Sequence, residues 1–353
     1  MRLEGYDLRR NGKNVALKVV NAMKIKKEWE EFVSKHPHGN IFQSPHLAEV
    51  FERAKGIEPV ALAAIHEDTG EICASMLAYV MKYTNIFSSF ASRARIRGGP
   101  LYLDTEEGIL AAKALLKYYD NVVRKKALYT DIWNLWDINS TASALFRDAG
   151  YIYENKLNFL IDLTMSRDKL WTSLARSKRK AIRKGREKGV YIEEARDRSQ
   201  VATFYRILKE TYRRIKVPLE DISLFESSFD VLMPKNMFKL FLAYYNNECI
   251  GGRIILMYKG TIYAWYISGS RAYSKMYPSA MLMWHTIEWG SENGYHTFDL
   301  GGAGKPDEEY GPRQFKKEFG GKLVNFGCYK KIHSQKKLWL AEKGFGIYKK
   351  LRW

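Results

Sequence analysis

A chain of 353 residues, 46% of them apolar, exceeds one ordinary core and suits two globular domains. Its formal charge of +19 points to a phosphate-bearing partner, whether tRNA, a nucleotide-linked sugar or an anionic membrane surface. Cys73, Cys249 and Cys328 lie far apart and outside any metal-ligand spacing, which argues against a disulfide framework and fits a reducing compartment. The N-terminal stretch is charged from Arg2 and lacks the apolar core of a secretory signal, and no apolar run reaches membrane-spanning length. The cytoplasm is the expected location, with at most peripheral contact with an anionic membrane.

In chain order, residues 15–20 predict a short strand and 26–35 a first helix, ended by the turn HPHGN. His36 and His38 in that turn have no further ligand-type residues close by, so no metal is expected. IFQSPHLAEVFERAKG follows, with Ser44 as N-cap, Pro45 at the first helical position and Leu47, Val50 and Phe51 at helical spacing. PVALAAIHE and ICASMLAYVMKYT predict a hairpin around Asp68, Thr69 and Gly70. Residues 88–99 read as a Ser/Arg/Gly loop, LYLD as a strand, 106–126 as a long helix, DIWNLWD as a strand and 140–148 as a helix stopped by Gly150. YIYENKLNFLIDL then runs through one or two strands.

The second half opens on DKLWTSLARSKRKAIRKGREKGV, residues 168–190. Leu170, Trp171, Leu174, Ala181 and Ile182 recur at three- and four-residue spacing and predict one helix, 168–188, with a single apolar stripe. Arg176, Arg179, Arg183 and Arg186 rise along the other side with Lys180, Lys184 and Lys188 beside them, until Gly189 closes the helix. A solvated charged face is the plain reading of such a run, and a polyanion site is the other. VYIEEA predicts a strand, 198–214 a helix and 221–229 a further one. A three-stranded meander follows, with turns at Asn246–Asn247 and Lys259–Gly260. Residues 276–293 form a helix stopped by Gly294, HTFDL a strand, PRQFKKEFGG a short helix and KLVNFGCYKKI a last strand.

Both halves spell the same order of elements, a duplication in order rather than in residue identity. That order resembles the acetyltransferase-like (GNAT) fold, so the expected fold class is α/β (α+β), with two GNAT-like domains in tandem and mixed sheets flanked by helices. Expected boundaries are 1–156 plus 328–353, where the basic, aromatic tail returns to close the first domain, and 157–327 for the second. Acetyl-CoA use would need glycines between central strand and following helix, to let backbone N–H groups approach the pyrophosphate. The second half has SRAYSKMYPSAMLMW there, with Pro278, Ser279 and Ala280, so acetyl-CoA is not the expected donor. Gly98 and Gly99 in RIRGGP read as a tight turn. FDLGGAGKPDEEYGPRQFKKEFGGK joins a strand, a glycine-rich turn and a short helix. Phe315 and Phe319 point inward from it, while Lys316 projects elsewhere and can meet an oxyanion or a phosphate, although most lysines are simply solvated. Asp299 reads as a cap of the turn or as a base, with the cap favoured.

Taken together, RKAIRKGREKGV, KETYRRIKVP, IYAWYISGS and FDLGG followed by FKKEFGG resemble the Fem-type (FemABX) non-ribosomal aminoacyl transferases over most of the second half. In the first half only FQS before a helix and the RGGP turn are similar to that family. The resemblance implies a twin-GNAT enzyme that takes an amino acid from aminoacyl-tRNA and attaches it to an amine of a nucleotide- or lipid-linked cell-wall precursor peptide. It implies no metal, no cofactor and no stable protein partner. By the same resemblance, Lys316 serves catalysis, and Arg213 or Arg214, with Thr211, grips the precursor's phosphate; Asp299, from its place at the strand end, is the candidate base. Tyr263, Trp265 and Tyr266 would line the peptide channel, although alternation on a strand equally makes them core, with Tyr263 and Trp265 on one face and Tyr266 on the other. Arg176, Arg179, Lys180, Arg183, Lys184 and Arg186 would hold the acceptor stem. Phe51 stands near the place where relatives carry a nucleotide-binding lysine, with Arg53 and Lys55 as displaced substitutes, and the second half lacks a long two-helix insertion, as in the compact FemX form. Two alternatives remain open: an acyl-CoA-dependent N-acyltransferase acting on an envelope amine or amino sugar, and a non-catalytic RNA- or membrane-binding protein.

Overall fold

The computed structural model describes residues 5–10, 13–82, 92–336 and 338–339. Its internal contacts divide the chain into two units, Met1–Asn155 with Phe326–Trp353, and Lys156–Asn325.

Unit 1 begins with β1 (Gly5–Arg10) and β2 (Lys13–Asn21), then α1 (Lys26–Lys35), α2 (Pro45–Arg53) and the hairpin β3 (Ile57–His66) and β4 (Ile72–Met81). It continues through β5 (Arg93–Arg97), β6 (Leu101–Tyr102), α3 (Glu106–Val123), β7 (Tyr129–Trp133), α4 (Ser140–Asp148) and β8 (Ile152–Glu154). The sheet runs β1-β2-β3-β4-β5-β7 and then takes in Cys328–Ile332, the last of the described strands (β16), before ending on β8. Every pairing is antiparallel except β5 with β7, whose parallel crossover is α3. Leu115, Leu116, Tyr119 and Val123 of α3 bury against this sheet.

The motif FQS is the joint of this unit. Gln43 is fully buried, and its amide donates to Leu77 O at 3.1 Å and Arg97 O at 2.9 Å while accepting from Leu77 N at 2.8 Å, so one side chain ties β4 to β5. Ser44 caps α2 through Leu47 N at 3.2 Å, with Pro45 at the first turn, as the sequence predicts.

Strand β5 corrects the loop expected over 88–99, of which 88–91 lie outside the described residues. Ala94 and Ile96 fill the core while Arg93, Arg95 and Arg97 alternate with them. Such a strand hides in sequence because arginines mask the alternation, yet their stems and planes are packed: Arg95 lies 3.8 Å over the Trp133 ring and 3.7 Å from Asp131, and Arg97 lies 3.9 Å over Phe42.

Unit 2 comprises β9 (Leu157–Asp162), α5 (Arg167–Ser173), α6 (Arg176–Glu187), β10 (Tyr191–Glu194), α7 (Ser199–Arg214) and α8 (Ile222–Leu232). The meander β11 (Phe238–Tyr245), β12 (Glu248–Tyr258) and β13 (Thr261–Gly269) follows, then α9 (Pro278–Glu292), β14 (Thr297–Gly302), α10 (Gly311–Lys317) and β15 (Lys322–Asn325). Its sheet runs β10-β11-β12-β13-β14-β9-β15, again with one parallel pair, β13 with β14, bridged by a helix. Asn246 and Asn247 both take the left-handed conformation that a tight hairpin turn demands.

Two further expectations are corrected here. KLVNFGCYKKI is two strands in two sheets: β15 pairs with β9, whereas β16 pairs with β7 and β8. The predicted helix 168–188 breaks at Leu174, whose ψ of 141° is extended. Arg179 causes this by turning back to donate to Thr172 O at 2.7 Å and Leu174 O at 2.6 Å, the orphan carbonyls ending α5, while Ala175 N–H donates to Glu318 O at 2.9 Å. The apolar stripe survives the break, since Leu170, Leu174 and Ile182 are all buried in one core.

Replacing Gln43 by Leu fills the same space but orphans Leu77 N–H and two carbonyls inside the sheet. We expect a loss of roughly 2–4 kcal/mol in urea unfolding, with an unchanged slope.

Candidate functional site

The constellation in unit 2 starts from the end of β14. Gly301 turns with φ of +73°, and Asp299, only 2% exposed, holds that turn by accepting from Gly301 N at 2.7 Å and from Asn158 Nδ2 at 2.9 Å. These bonds make Asp299 the cap of the glycine turn. Strand position alone suggests a base there, and the two donors occupy its Oδ1.

Across the turn, Lys316 of α10 donates from Nζ to Gly301 O at 2.9 Å and Gly302 O at 2.8 Å. It is half-buried rather than solvated, and its ammonium group is fixed at one place by two carbonyl dipoles. Phe315 and Phe319 lie below it with ring centroids 5.0 Å apart, and Phe319 is fully buried.

Beside this helix lies a pocket of about 370 Å³ lined by Lys178, Arg214, Arg271, Ser274, Ser279 and Phe315, at the start of α9. Close packing there is carried by strand glycines instead of a glycine loop: a Cβ on Gly269 would stand 2.9 Å from the Pro278 ring, and one on Gly251 would stand 3.1 Å from it. The result is a cationic, hydroxyl-lined recess at a helix N-terminus, suited to one anionic oxygen cluster. Lys178 holds its place by pairing with Glu318 at 2.9 Å and lying 4.6 Å over the Phe315 ring. Of the two arginines that spacing could not separate, Arg214 lines the recess and Arg213 does not.

Sequence reasoning missed Lys178 and Arg271. For Lys178 the signal was present, since it sits one turn before Ala181 and Ile182 on the border of the apolar stripe; Arg271 lies in a loop and offers none.

The basic helix α6 divides into two sets. Arg179 is spent on carbonyls, Arg186 pairs with Glu288 at 3.4 Å and Arg183 lies 5.6 Å from the Trp171 ring. Among the described residues, Arg176, Lys180 and Lys184 are exposed and make no ion pair, and their spacing of four aligns them in one stripe.

The aromatic strand departs from strict alternation. Register shifts between Ile254 and Ile255, which pair with Tyr266 and Ala264, leaving Trp265 as the extra residue of a bulge. Trp265 and Tyr266 therefore both pack on Phe225 of α8, at 6.1 and 4.8 Å, and Tyr266 donates to Glu220 at 2.8 Å. Tyr263 is core, at 7% exposure. Thr211 shares a 2.7 Å hydrogen bond with Ser268, which fixes the end of α7 to β13. In unit 1, Phe51 packs on Tyr79, Arg53 pairs with Glu49, and His36 is a structural turn residue: Nδ1 accepts from His38 N at 3.1 Å, so Nε2 carries the proton that meets Tyr102 O at 2.9 Å. No group of three or more metal-ligating side chains occurs among the described residues, and no helix there is long and apolar enough to cross a membrane.

Residues 172–317 match the model of an acetyltransferase (GNAT) domain family. Among solved structures, FemX is similar over 87% of this chain and 96% of its own, with a TM-score of 0.65 at 18% identity. The C-terminal domain of a putative lysylphosphatidylglycerol synthetase from Agrobacterium fabrum covers 93% of this chain and 97% of its own, with 0.55 at 14% identity. A tandem GNAT protein from the clavulanic acid biosynthesis pathway covers 90% and 99%, with 0.57 at 10% identity. No curated protein sequence matches. At these identities the likeness establishes the fold, two GNAT-like domains in tandem, which is the class that the order of elements predicted.

One buried cation lies outside this constellation. Among the described residues, the side chain of Arg253 of β12, 1% exposed, meets Met283 Sδ at 3.3 Å and the Phe298 ring at 4.8 Å, and burial pushes its guanidinium down to about 9. A buried cation with no carboxylate beside it opposes folding, because burial removes its hydration without a compensating charge. Arg253→Met should raise stability at pH 7 by roughly 1–4 kcal/mol, as thermal melts would show.

Proposed function

We propose that this chain is an acyltransferase that moves an aminoacyl group from aminoacyl-tRNA to an amine of a cell-wall-type precursor peptide, acting in the cytoplasm. Two features of unit 2 support this most: the exposed stripe Arg176, Lys180 and Lys184 on one side of α6, and the cationic recess that Lys178 of the same helix lines with Arg214 and Arg271. An extended nucleic-acid backbone fits a stripe, and its terminal phosphate fits a recess, whereas a lone small anion would need only the recess.

In the reaction, the acceptor amine attacks the aminoacyl carbonyl carbon, forming the new C–N bond. The C–O bond to the 3′-oxygen breaks, and the proton lost by the amine ends on that oxygen. Because the ester is already activated, the protein's contribution is positioning and charge stabilisation. Lys316 is the candidate for the developing oxyanion, and its two backbone partners keep its charge from reorganising as the oxyanion forms. Arg214 and Arg271 would take phosphate oxygens, with Ser274 and Ser279 as neutral donors. No general base is assigned.

A second reading, an acyl-CoA-dependent N-acyltransferase acting on an envelope amine, draws on the acetyltransferase domain match and on the recess lying at the start of α9. Against it stands the absence of a glycine loop at Tyr277, Pro278 and Ser279.

Four variants separate these readings. Lys180→Ala with Lys184→Ala should weaken tRNA binding in filter assays and lower the salt slope by about two, whereas Arg179→Ala should chiefly lower the melting temperature. Lys316→Ala should abolish transfer from charged tRNA, measured by mass spectrometry of the precursor, and also cost about 1–3 kcal/mol by releasing the turn. Lys316→Arg should keep most of that stability and still transfer poorly. Near-normal transfer by folded Lys316→Ala removes Lys316 from the chemistry, and saturable acyl-CoA turnover without tRNA favours the second reading.

A further inference from the structure

Unit 1 contains a larger cleft, about 970 Å³, at the carboxyl ends of the parallel pair β5 and β7. Gly98 and Gly99 follow β5 into it, and Asn134 and Trp136 follow β7. The ends of adjacent parallel strands are where sheets flanked by helices generally receive ligands, and this volume lies within the range of small-molecule sites. Four aromatic side chains stand in its wall, Phe32, Tyr102, Trp136 and Phe146. Trp136 is held in place by His38, stacked on it at 4.3 Å and 4°.

Its charge is opposite to that of the chain. In a protein of formal charge +19, the cleft is lined by Glu28, Glu31, Glu71, Asp104 and Asp137 against a single cation, Lys35, which already pairs with Glu31 at 2.6 Å. Among the described residues no lysine or arginine pairs with Glu28, Asp104 or Asp137. A nucleotide diphosphate entering here would meet carboxylates and no free cation. A protonated amine would instead be drawn toward the rim and could lie against an indole face.

We propose that this cleft binds a small ligand through its protonated amine, with an aromatic-stacking body such as a sugar or phenyl ring. The site belongs to unit 1 alone and stands whether or not unit 2 carries out the transfer proposed above. Apolar walls supply the area, Trp136 the platform and the rim carboxylates the selection for charge. Acetylating the amine removes the charge while keeping the body, which makes it the discriminating change.

Calorimetric titration of the full chain with glucosamine and tyramine, each beside its N-acetyl counterpart, tests this. At least one amine should bind, and its acetylated form should bind at least about tenfold more weakly. Asp104→Asn with Asp137→Asn, both exposed positions, should lose a similar factor, Trp136→Ala should weaken both probes, and Lys180→Ala in unit 2 should change nothing. Should Trp136→Ala fail to fold, judged by its melting curve, the Asn pair alone decides the matter. Equal affinity for acetylated and free amines, displacement by uridine diphosphate, or no binding of either amine at about 10 mM would overturn the proposal.

Discussion

The grip of Lys316 on the carbonyls of Gly301 and Gly302 is the contact on which the functional end of unit 2 depends. Asp299 fixes the N–H side of the same turn and Lys316 fixes the carbonyl side, so two residues of opposite charge set its conformation from both ends. Once α10 is anchored, Phe315 and Phe319 face inward, Lys178 rests on the Phe315 ring, and Glu318 reaches both Lys178 and the start of α6. Loosening the turn would therefore disturb the ammonium group, the wall of the recess and the entry to the basic helix at once.

That dependence changes how the basic helix should be counted. Seven lysines and arginines lie in Arg176–Glu187, and a count alone credits all of them to a polyanion. The structure assigns several to building work: Arg179 closes α5, Lys178 and Arg186 pair with acids, and Arg183 leans on Trp171. What remains for a phosphate backbone is a narrower stripe, and a narrow stripe orients a rod-like partner better than a diffuse field does. Self-repulsion along the helix is relieved by the same internal partners, which is why it tolerates so high a charge density.

Much of this fold could be read from sequence because the dominant signals are local. Ser44 with Pro45, the asparagine pair at 246–247 and the glycines closing helices each act within one turn of chain, and the elements around them stand where their patterns put them. The failures share a different cause. Strand β5 was hidden because its outer face is arginine, which packs by its stem and plane. The break at Leu174 comes from Arg179 reaching back five residues, and the bulge at Trp265 answers the register of β12. KLVNFGCYKKI reads as one strand because nothing local marks Phe326 as the point where the chain passes from one sheet to the other. At the site, Lys316 was legible as a residue and its carbonyl partners were not, and Arg271 left no pattern at all.

The two units repeat one topology, a meander, a parallel pair bridged by a helix, and closing strands on the far side, with β16 filling in unit 1 the place that β9 fills in unit 2. Their recesses have opposite signs: Lys178, Arg214 and Arg271 line one, and carboxylates dominate the other. Backbone architecture therefore fixes where a ligand can enter without fixing what it is. If both recesses held an anionic ligand, each would need cations at its mouth, and among the described residues the unit 1 cleft is lined by one lysine, Lys35, which already pairs with Glu31. Charge at the strand ends, rather than the fold, is what distinguishes the duplicated halves, so assigning a ligand to either half requires reading its own side chains.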